Sequence, residues 1–162
     1  MNLSIRRAQV ADAQALLDLR KAAILACCAD FYPHEVLLAF TAVEVNPAFL
    51  AMLSAHFYVA ETEGRMVGSG MIDLQSGQID GVFVQPDVGG RGVGRAMMAH
   101  LEKLAREAGL RSMTLDSTLN AAPFYRRLGF TGEQESVYVT KRGLRLACVP
   151  MVKALGFSYV TS

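Results

Sequence analysis

The sequence of 162 residues predicts one α/β domain with a mixed, mostly antiparallel sheet. Two patterns and one junction indicate this class. Runs of alternating apolar and polar residues between short turns predict consecutive antiparallel strands in the middle of the chain. Apolar residues spaced three and four apart predict helices on either side of that region. A glycine-rich turn then joins a strand directly to a helix. We therefore expect a single domain over residues 1–162.

The N-terminal third is predicted to contain one short strand and two helical regions. "LSIRRA" favours a strand, and "YPHEVLLAFTAVEVNPAFLAMLSA" favours an irregular helical region with a boundary at Asn46-Pro47, because the residue before proline avoids the helical conformation. Its apolar residues fit a pocket lining as well as a core. "ADAQALLDLRKAAILACCADF" favours a helix with an apolar face at helical spacing: Leu16, Leu19 or Arg20, Ala23 and Cys27.

The rest of the chain alternates between strand and helix patterns. "HFYVAET", "MVGSGMIDL" and "IDGVFVQ" predict a meander of three antiparallel strands. "GRAMMAHLEKLAREAGL" predicts an amphipathic helix that ends at Gly109. "SMTLDST" predicts a strand, "NAAPFYRRLGF" a short helix and "ESVYVTKRGLRLACVPMVKAL" a final hairpin. The predicted element order is β-α-α-β-β-β-α-β-α-β-β.

Charge and cysteine content exclude several classes of protein. A net charge of +1 and a pI near 7.7 provide no basic field for binding nucleic acid. No apolar span reaches membrane-crossing length, so we expect a cytoplasmic protein without membrane association. Cys27, Cys28 and Cys148 have neither disulfide-framework nor metal-ligand spacing. We expect no metal site, and we expect the cysteines to be buried as small apolar side chains.

Four glycines lie within the six positions from Gly89 to Gly94, between a strand and a helix. Glycine lets backbone N–H groups approach a ligand, and unpaired amides at a helix N-terminus favour phosphate. Arg91 and Arg95 add positive charge. The alternative is a tight turn that holds no ligand. The two common nucleotide loops do not fit, because no lysine follows the glycines and Arg95 stands where the third glycine of G-x-G-x-x-G belongs.

These residues carry a resemblance to a known family. "VFVQPDVGGRGVGRAMMAHLEKLAREAG" followed by "MTLDSTLNAAPFYRRLGF" closely resembles the GCN5-related N-acetyltransferase superfamily over residues 56–131. "CADFYPHEVLLAF" resembles a small bacterial, YafP-like branch of it. The family's loop pattern [Q/R]-x-x-G-x-[G/A] falls on residues 89–94, with Gly89 in place of Gln or Arg. The resemblance implies a sheet of about seven strands, splayed at its centre and flanked by helices.

The resemblance also implies a cofactor, acetyl-CoA, and the residues that hold it. The amides of the glycine turn bind its pyrophosphate, and the preceding strand pairs with its pantetheine arm. The Asn120 side chain bonds the pantetheine region, and the Tyr125 hydroxyl lies near the sulfur. The cofactor-binding residues on this basis are Val82, Phe83, Val84, Gly89, Gly90, Arg91, Gly92, Val93, Gly94, Arg95, Asn120, Phe124 and Tyr125.

Two side chains are predicted to be catalytic. A departing CoA thiolate has an ordinary pKa of about 8.5 and a phenol one of about 10, so Tyr125 is suited to act as the acid; its alternative role is that of a core aromatic. Asp80 is the first candidate to accept the proton of the amine, since it should share a face with Val82 and Val84. Asp116 is the second candidate and Asp73 the third. The alternative for Asp80 is a solvated carboxylate at a strand end.

The acceptor pocket is expected between the N-terminal helical segments and the last hairpin. Its candidate substrate-binding residues, each of which also fits a core or surface position, are Phe31, Tyr32, His34, Asp116 and Tyr138. The predicted function is transfer of acetyl to a primary amine of a small molecule. A lysine or N-terminal acetyltransferase of proteins and a CoA-binding sensor remain as alternatives. "GLRLACVPMVKALGFSYV" is apolar enough to form a homodimer or to belong to the core.

Overall fold

A computed structural model describes residues 2–156. It contains seven strands and five α-helices within that range, in the order predicted except that the second helical region is divided in two. The elements are β1 (Ser4–Arg7), α1 (Ala13–Cys27), α2 (His34–Thr41), α3 (Pro47–His56), β2 (Phe57–Thr62), β3 (Arg65–Asp73), β4 (Gln78–Val84), α4 (Val93–Glu107), β5 (Ser112–Ser117), α5 (Ala122–Arg127), β6 (Ser136–Val139) and β7 (Arg145–Ala154).

The strands form one sheet in the order β1-β2-β3-β4-β5-β7-β6. Every neighbouring pair is antiparallel except β4 and β5, which are parallel. Those two strands pair only at Gln78–Thr114 and Ile79–Leu115. Beyond Ile79 they separate, so the sheet opens at its centre. The predicted mixed, mostly antiparallel and splayed sheet of seven strands is confirmed.

Helix α4 packs closely on one face of the sheet because β3 has glycines beneath it. A Cβ at Gly70 would lie 2.7 Å from Cγ of Met97, and a Cβ at Gly68 would lie 2.8 Å from Cγ1 of Val93. Val82 and Val84 of β4 pack against this core, whereas Phe83 faces the cluster formed by α1 and α2 on the other side. Strand β4 is therefore covered on both faces, and its free edge points into the opening.

Two sequence-based predictions are resolved at this level. Asn46 caps α3 by accepting a hydrogen bond from the amide of Phe49 at 2.8 Å, which confirms the helix boundary at Asn46-Pro47. Cys28 and Cys148 are buried as predicted, but Cys27 is exposed, because the buried face of α1 continues from Ile24 to Cys28. Residues 157–160 of the apolar C-terminal segment lie outside the described residues. No helix within residues 2–156 is long and apolar enough to span a membrane.

Candidate active site

The turn before α4 adopts a conformation that selects glycine at two positions. Gly90 has a φ of 79° and Gly92 a φ of 84°, both in the left-handed region that side chains other than glycine rarely adopt. A Cβ built at either position meets no atom within 4 Å. Backbone geometry, and not crowding, therefore selects glycine here. The surface above these two residues is open to a ligand.

The amides of this turn are available for binding. Those of Gly90 and Arg91 have no acceptor among residues 2–156, and no side chain caps the N-terminus of α4. Arg91 and Arg95 are exposed and join no ion pair within the same range. Unpaired amides, the positive end of the helix dipole and two guanidinium groups together form a site suited to an anion such as pyrophosphate.

The free edge of β4 begins where the sheet opens. Val82, Phe83 and Val84 pair with β3 on one side, and on the β5 side no described strand pairs with them. An extended ligand can hydrogen-bond to such an edge as an added strand does. At the end of this edge, a Cβ on Gly94 would lie 3.3 Å from Cζ of Phe124 and 3.6 Å from Cγ2 of Val84. The first turn of α4, the start of α5 and the end of β4 thus meet at one point.

Asn120 lies in the loop that follows β5, where it contacts the side chain of Cys28, the residue directly after α1. The thiol of Cys28 donates to Oδ1 of Asn120 across 3.2 Å. Burial raises the pKa of Cys28, so this thiol stays protonated and remains a donor at neutral pH. This contact could not be predicted from the sequence, because nothing in the helical pattern around Cys28 relates it to a loop 92 residues further along the chain.

Tyr125 is buried, with 7% of its surface exposed. Its ring packs edge-on against Phe124 and Phe130, at centroid distances of 5.1 and 5.8 Å. Its hydroxyl has no hydrogen-bond partner among residues 2–156. Burial raises its pKa to about 12, so the phenol is protonated at neutral pH. The ring of Tyr125 is a core aromatic, as the alternative prediction stated. Its hydroxyl remains available to a ligand.

Asp80 occupies a bulge in β4. Met71 pairs with Gly81 and Ile72 with Ile79, so Asp80 has no partner in β3. The bulge interrupts the alternation that our prediction assumed, and Asp80 does not follow Val82 and Val84 into the core on the α4 side. The Asp80 side chain is exposed, as the alternative of a solvated carboxylate predicted. Desolvation by the surrounding protein nevertheless raises its pKa, and the nearby charge of Asp116 raises it further. Asp73 acts in the same direction, while a hydrogen bond from Gln78 and the charge of His56 lower it.

The predicted substrate-binding residues lie in different surroundings. Tyr138 on β6 lies within electrostatic reach of Asp80 and Asp116: burial raises its pKa, and both carboxylates raise it further. Phe31 and His34 are exposed and make no side-chain hydrogen bond within residues 2–156. Tyr32 bridges two elements, since its hydroxyl donates to the carbonyl of Ala147 at 2.6 Å and accepts from the amide of Leu119 at 3.0 Å.

Arg20 of α1 joins this region, although the sequence analysis did not select it as a site residue. Its guanidinium carbon lies 4.5 Å from the centre of the Phe40 ring and 5.8 Å from that of Phe83. Burial lowers its pKa, and the charge of Tyr138 opposes that shift. The available signal was a charged residue inside the apolar series of α1, where Arg20 stands as an alternative to Leu19. Within residues 2–156 no group of His, Cys, Asp and Glu side chains is arranged to hold a metal ion.

Comparison with protein families gives a match to the acetyltransferase (GNAT) domain over residues 54–132. This span runs from the end of α3 to just beyond α5, and so contains the free edge of β4, the glycine turn, Asn120 and Tyr125.

Curated relatives include acetyltransferases with different acceptors. An aminoglycoside N(6′)-acetyltransferase type 1 of Stenotrophomonas maltophilia is 32% identical over 128 residues, which cover 77% of this chain and 69% of the relative. The peptidyl-lysine N-acetyltransferase YjaB of Escherichia coli is 30% identical, over 83% of this chain and 88% of the relative. YafP of Escherichia coli, an N-acetyltransferase, is 28% identical over 84% of this chain and 87% of the relative. The chain matches only 56% of the glucosamine 6-phosphate N-acetyltransferase of Trypanosoma brucei brucei, at 32% identity over 46% of its own length.

Two solved structures share the fold. A GCN5-related N-acetyltransferase from Rhodopseudomonas palustris superposes with a TM-score of 0.88 at 30% identity, over 96% of this chain and 97% of that one. The PaiA N-acetyltransferase of Thermoplasma acidophilum, determined in complex with coenzyme A, superposes with a TM-score of 0.73 at 16% identity, over 96% and 100%.

Proposed function

Because the chain belongs to the GCN5-related N-acetyltransferase family and is an acetyl-CoA-dependent N-acetyltransferase, we propose that it acetylates a primary amine of a small molecule by direct transfer. The observation that favours a small molecule is a contact between α2 and the β6–β7 hairpin, the two elements that we place beside the acceptor. Arg142, in the turn between β6 and β7, donates to the carbonyl of Ala39 at 2.6 Å and to that of Ala42 at 3.0 Å.

These carbonyls belong to the C-terminal end of α2, where helix carbonyls lack intrahelical partners and attract a cation. The hairpin is therefore fastened to α2 at this end. A peptide that lay along the space between α2 and the hairpin would have to break these charge-assisted hydrogen bonds, whereas a compact amine would not. The peptidyl-lysine relative keeps the protein acceptor as a second candidate.

Acetyl-CoA supplies the acetyl thioester, and the chain's own residues fit the shape and charge of the cofactor. The amides from Gly90 to Arg95 hold the pyrophosphate, with Arg91 and Arg95 adding positive charge. The left-handed, uncrowded backbone at Gly90 and Gly92 is the feature that suits this role. The free edge of β4 at Val82, Phe83 and Val84 holds the extended arm. Asn120 turns its amide N–H₂ toward the arm, because its Oδ1 is taken by Cys28.

Tyr125 and Asp80 move the two protons of the reaction. The amine nitrogen forms a bond to the acetyl carbon as the C–S bond breaks. Asp80 accepts the proton that the nitrogen loses, directly or through water, and Tyr125 donates its own proton to the departing sulfur atom. Among the three carboxylate candidates, Asp80 is favoured because desolvation and the charge of Asp116 raise its pKa, which makes it a stronger base. Asp116 and Asp73 then act by their charge.

A pair of measurements tests the proposed function. Saturating CoA should raise the melting temperature, since a ligand at 100 times its Kd stabilises the folded state by about 2.7 kcal/mol. A thiol-release assay with acetyl-CoA over a panel of small amines and lysine peptides should give a higher kcat/KM for a small amine. A preference for peptides would identify a protein acetyltransferase. Stabilisation without turnover on any acceptor would identify a sensor.

Three further properties of the whole protein are proposals of the same kind. We propose a single acetyltransferase domain over residues 1–162 and a cytoplasmic location, the latter because Cys27, Cys28 and Cys148 are all unpaired thiols. We also propose a homodimer formed through the C-terminal strands, where the edge strand β6 exposes 48% of Val137 and 52% of Val139. Sedimentation analysis measures the oligomeric state.

A further inference from the structure

Arg20 is a partly buried cation with no carboxylate partner in the described part of the chain, residues 2–156. Its only hydrogen bond within residues 2–156 is from Nη1 to the carbonyl of Phe40, at 3.3 Å. Its guanidinium instead makes cation–π contacts with the rings of Phe40 and Phe83. A guanidinium carries five N–H donors in a planar fork that matches carboxylate and phosphate groups. Most of these donors have no acceptor among residues 2–156.

The position of Arg20 relates it to the reaction. Phe83, on which it stacks, is one residue from Val82 and Val84 on the free edge of β4, and its ring faces α1 and α2. Asp80 lies three residues before Phe83, in the bulge of the same strand. Tyr138 is within electrostatic reach of both charged groups, since Asp80 and Asp116 raise its pKa and Arg20 lowers it. A carboxylate and a guanidinium that joins no ion pair within residues 2–156 therefore lie beside the same free edge of β4.

From this arrangement we infer that the acceptor is an amine that also carries an anionic group, a carboxylate or a phosphate, which Arg20 binds while the amine lies at Asp80. The inference rests on the proposed function, because it assigns the acceptor of that same site. Amines without an anionic group have nothing to bind the guanidinium of Arg20. Amines that carry a second positive charge would be repelled by Arg20 and by the nearby Arg142.

The test compares matched acceptors that differ only in the anionic group. The pairs are 4-aminobutyrate and 4-aminobutanamide, an L-amino acid panel and the corresponding amides, and glucosamine 6-phosphate and glucosamine. The carboxylate pairs and the phosphate pair distinguish the two sources of negative charge. For each pair, the ratio of kcat/KM values is measured for the wild type, Arg20→Met, Arg20→Lys and the control Lys21→Met. Met retains an apolar chain against Phe40 and Phe83, and Lys21 is an exposed neighbour on the same helix.

The wild type should prefer the anionic member of at least one pair by roughly tenfold to a hundredfold, the range expected for a charge-assisted bidentate contact. Arg20→Met should bring that ratio close to one, Arg20→Lys should retain part of it, and Lys21→Met should retain all of it. Comparing ratios between variants cancels the different basicities of the paired amines.

Wild-type protein that acetylates both members of every pair equally would overturn the inference while the proposed function stands. So would a ratio that Arg20→Met leaves unchanged. If no amine of any kind is acetylated although CoA raises the melting temperature, it is the proposed function that fails. If the Arg20 variants do not fold, the wild-type ratios, together with competitive inhibition by butyrate or glucose 6-phosphate against the acceptor, decide the question.

Discussion

The two sides of the opening in the sheet are built in different ways. On the side where we propose that the cofactor binds, backbone groups of β4 and of the turn before α4 form the surface, and the residues that shape it lie within one stretch, from Val82 to Tyr125. On the acceptor side, the groups are side chains from separate elements: Arg20, Asp80, Asp116, Tyr138 and Arg142. The first surface is common to any chain with the same backbone, whereas the second can change by substitution alone.

This difference suits the chemistry of a two-substrate enzyme. Acetyl-CoA-dependent enzymes with different acceptors share one acetyl donor, and the proposed cradle of amides and glycine suits a ligand that does not vary. The acceptor varies, as the aminoglycoside, lysine and amino-sugar relatives illustrate. Differences in acceptor specificity are then expected in side chains that can be substituted without disrupting the fold.

The largest expected effect is at Tyr125, where the two sides meet. Tyr125→Phe should lower kcat by roughly 10³-fold, within the range for loss of a general acid, and leave the affinity for CoA near the wild-type value. The hydroxyl has no partner within residues 2–156, so its removal should not destabilise the fold. Tyr58→Phe, at another buried tyrosine, is the control. Unchanged turnover in Tyr125→Phe would remove the acid role.

Asp80 provides the next largest effect and a pH test. Asp80→Asn should lower kcat/KM by roughly 10²-fold near neutral pH. In the wild type, kcat/KM should fall as the pH decreases through the raised pKa of Asp80, because a protonated carboxyl cannot accept a proton. Asp116→Asn removes a like charge and should move this acidic limb to lower pH. A limb that stays in place in both variants would assign the base elsewhere.

The same shift has a consequence for stability. Because the pKa of Asp80 is raised in the folded state above its unfolded value, the group favours folding at low pH and loses that contribution as the pH rises through the folded pKa. Asp80→Asn should therefore increase the free energy of unfolding near neutral pH while it slows catalysis. Urea titrations at pH 4 and pH 7.5 measure the difference, which should be larger at the higher pH. A loss of stability at pH 7.5 would contradict this account.

A smaller effect, on the KM for acetyl-CoA, distinguishes a glycine that shapes the proposed cofactor site from a glycine that only ends a helix. Gly92 and Gly109 stand at opposite ends of α4, with φ values of 84° and 78° and no atom within 4 Å of a built Cβ. Substitution by Ala at either glycine should cost about 1–2 kcal/mol of stability, since both force a side chain into the left-handed region. Only Gly92→Ala should raise the KM for acetyl-CoA, by roughly tenfold. Equal KM values in the two variants would show that the turn does not bind the cofactor.

The contrast between the two sides also decides what the sequence could predict. Left-handed turns need glycine locally, so the clustered glycines predicted the turn before α4 and, with the resemblance, the splayed sheet. The bulge at Asp80 was not predictable, because it depends on the register with β3. The contact of Arg142 with Ala42, 100 residues away, and the stacking of Arg20 on Phe83 depend on tertiary packing that no periodicity records. Side-chain sites assembled from distant elements are for this reason the part that sequence patterns miss.

Gly89 gives the smallest effect and the sharpest test of the cradle, since it is the position where this chain departs from the family pattern. Its φ of −57° and ψ of 145° suit any residue, and a Cβ would lie 3.4 Å from the carbonyl oxygen of Pro86, an ordinary contact. Gly89→Arg should therefore fold normally and add a third cation to a turn that already has Arg91 and Arg95. We expect a several-fold lower KM for acetyl-CoA at low ionic strength and a smaller gain in 0.5 M salt, because exposed charges are screened. Gly89→Gln tests a neutral side chain at the same place, and Gly89→Asp should raise the KM. Identical KM values for Arg and Asp at low salt would mean that the pyrophosphate does not lie at this turn.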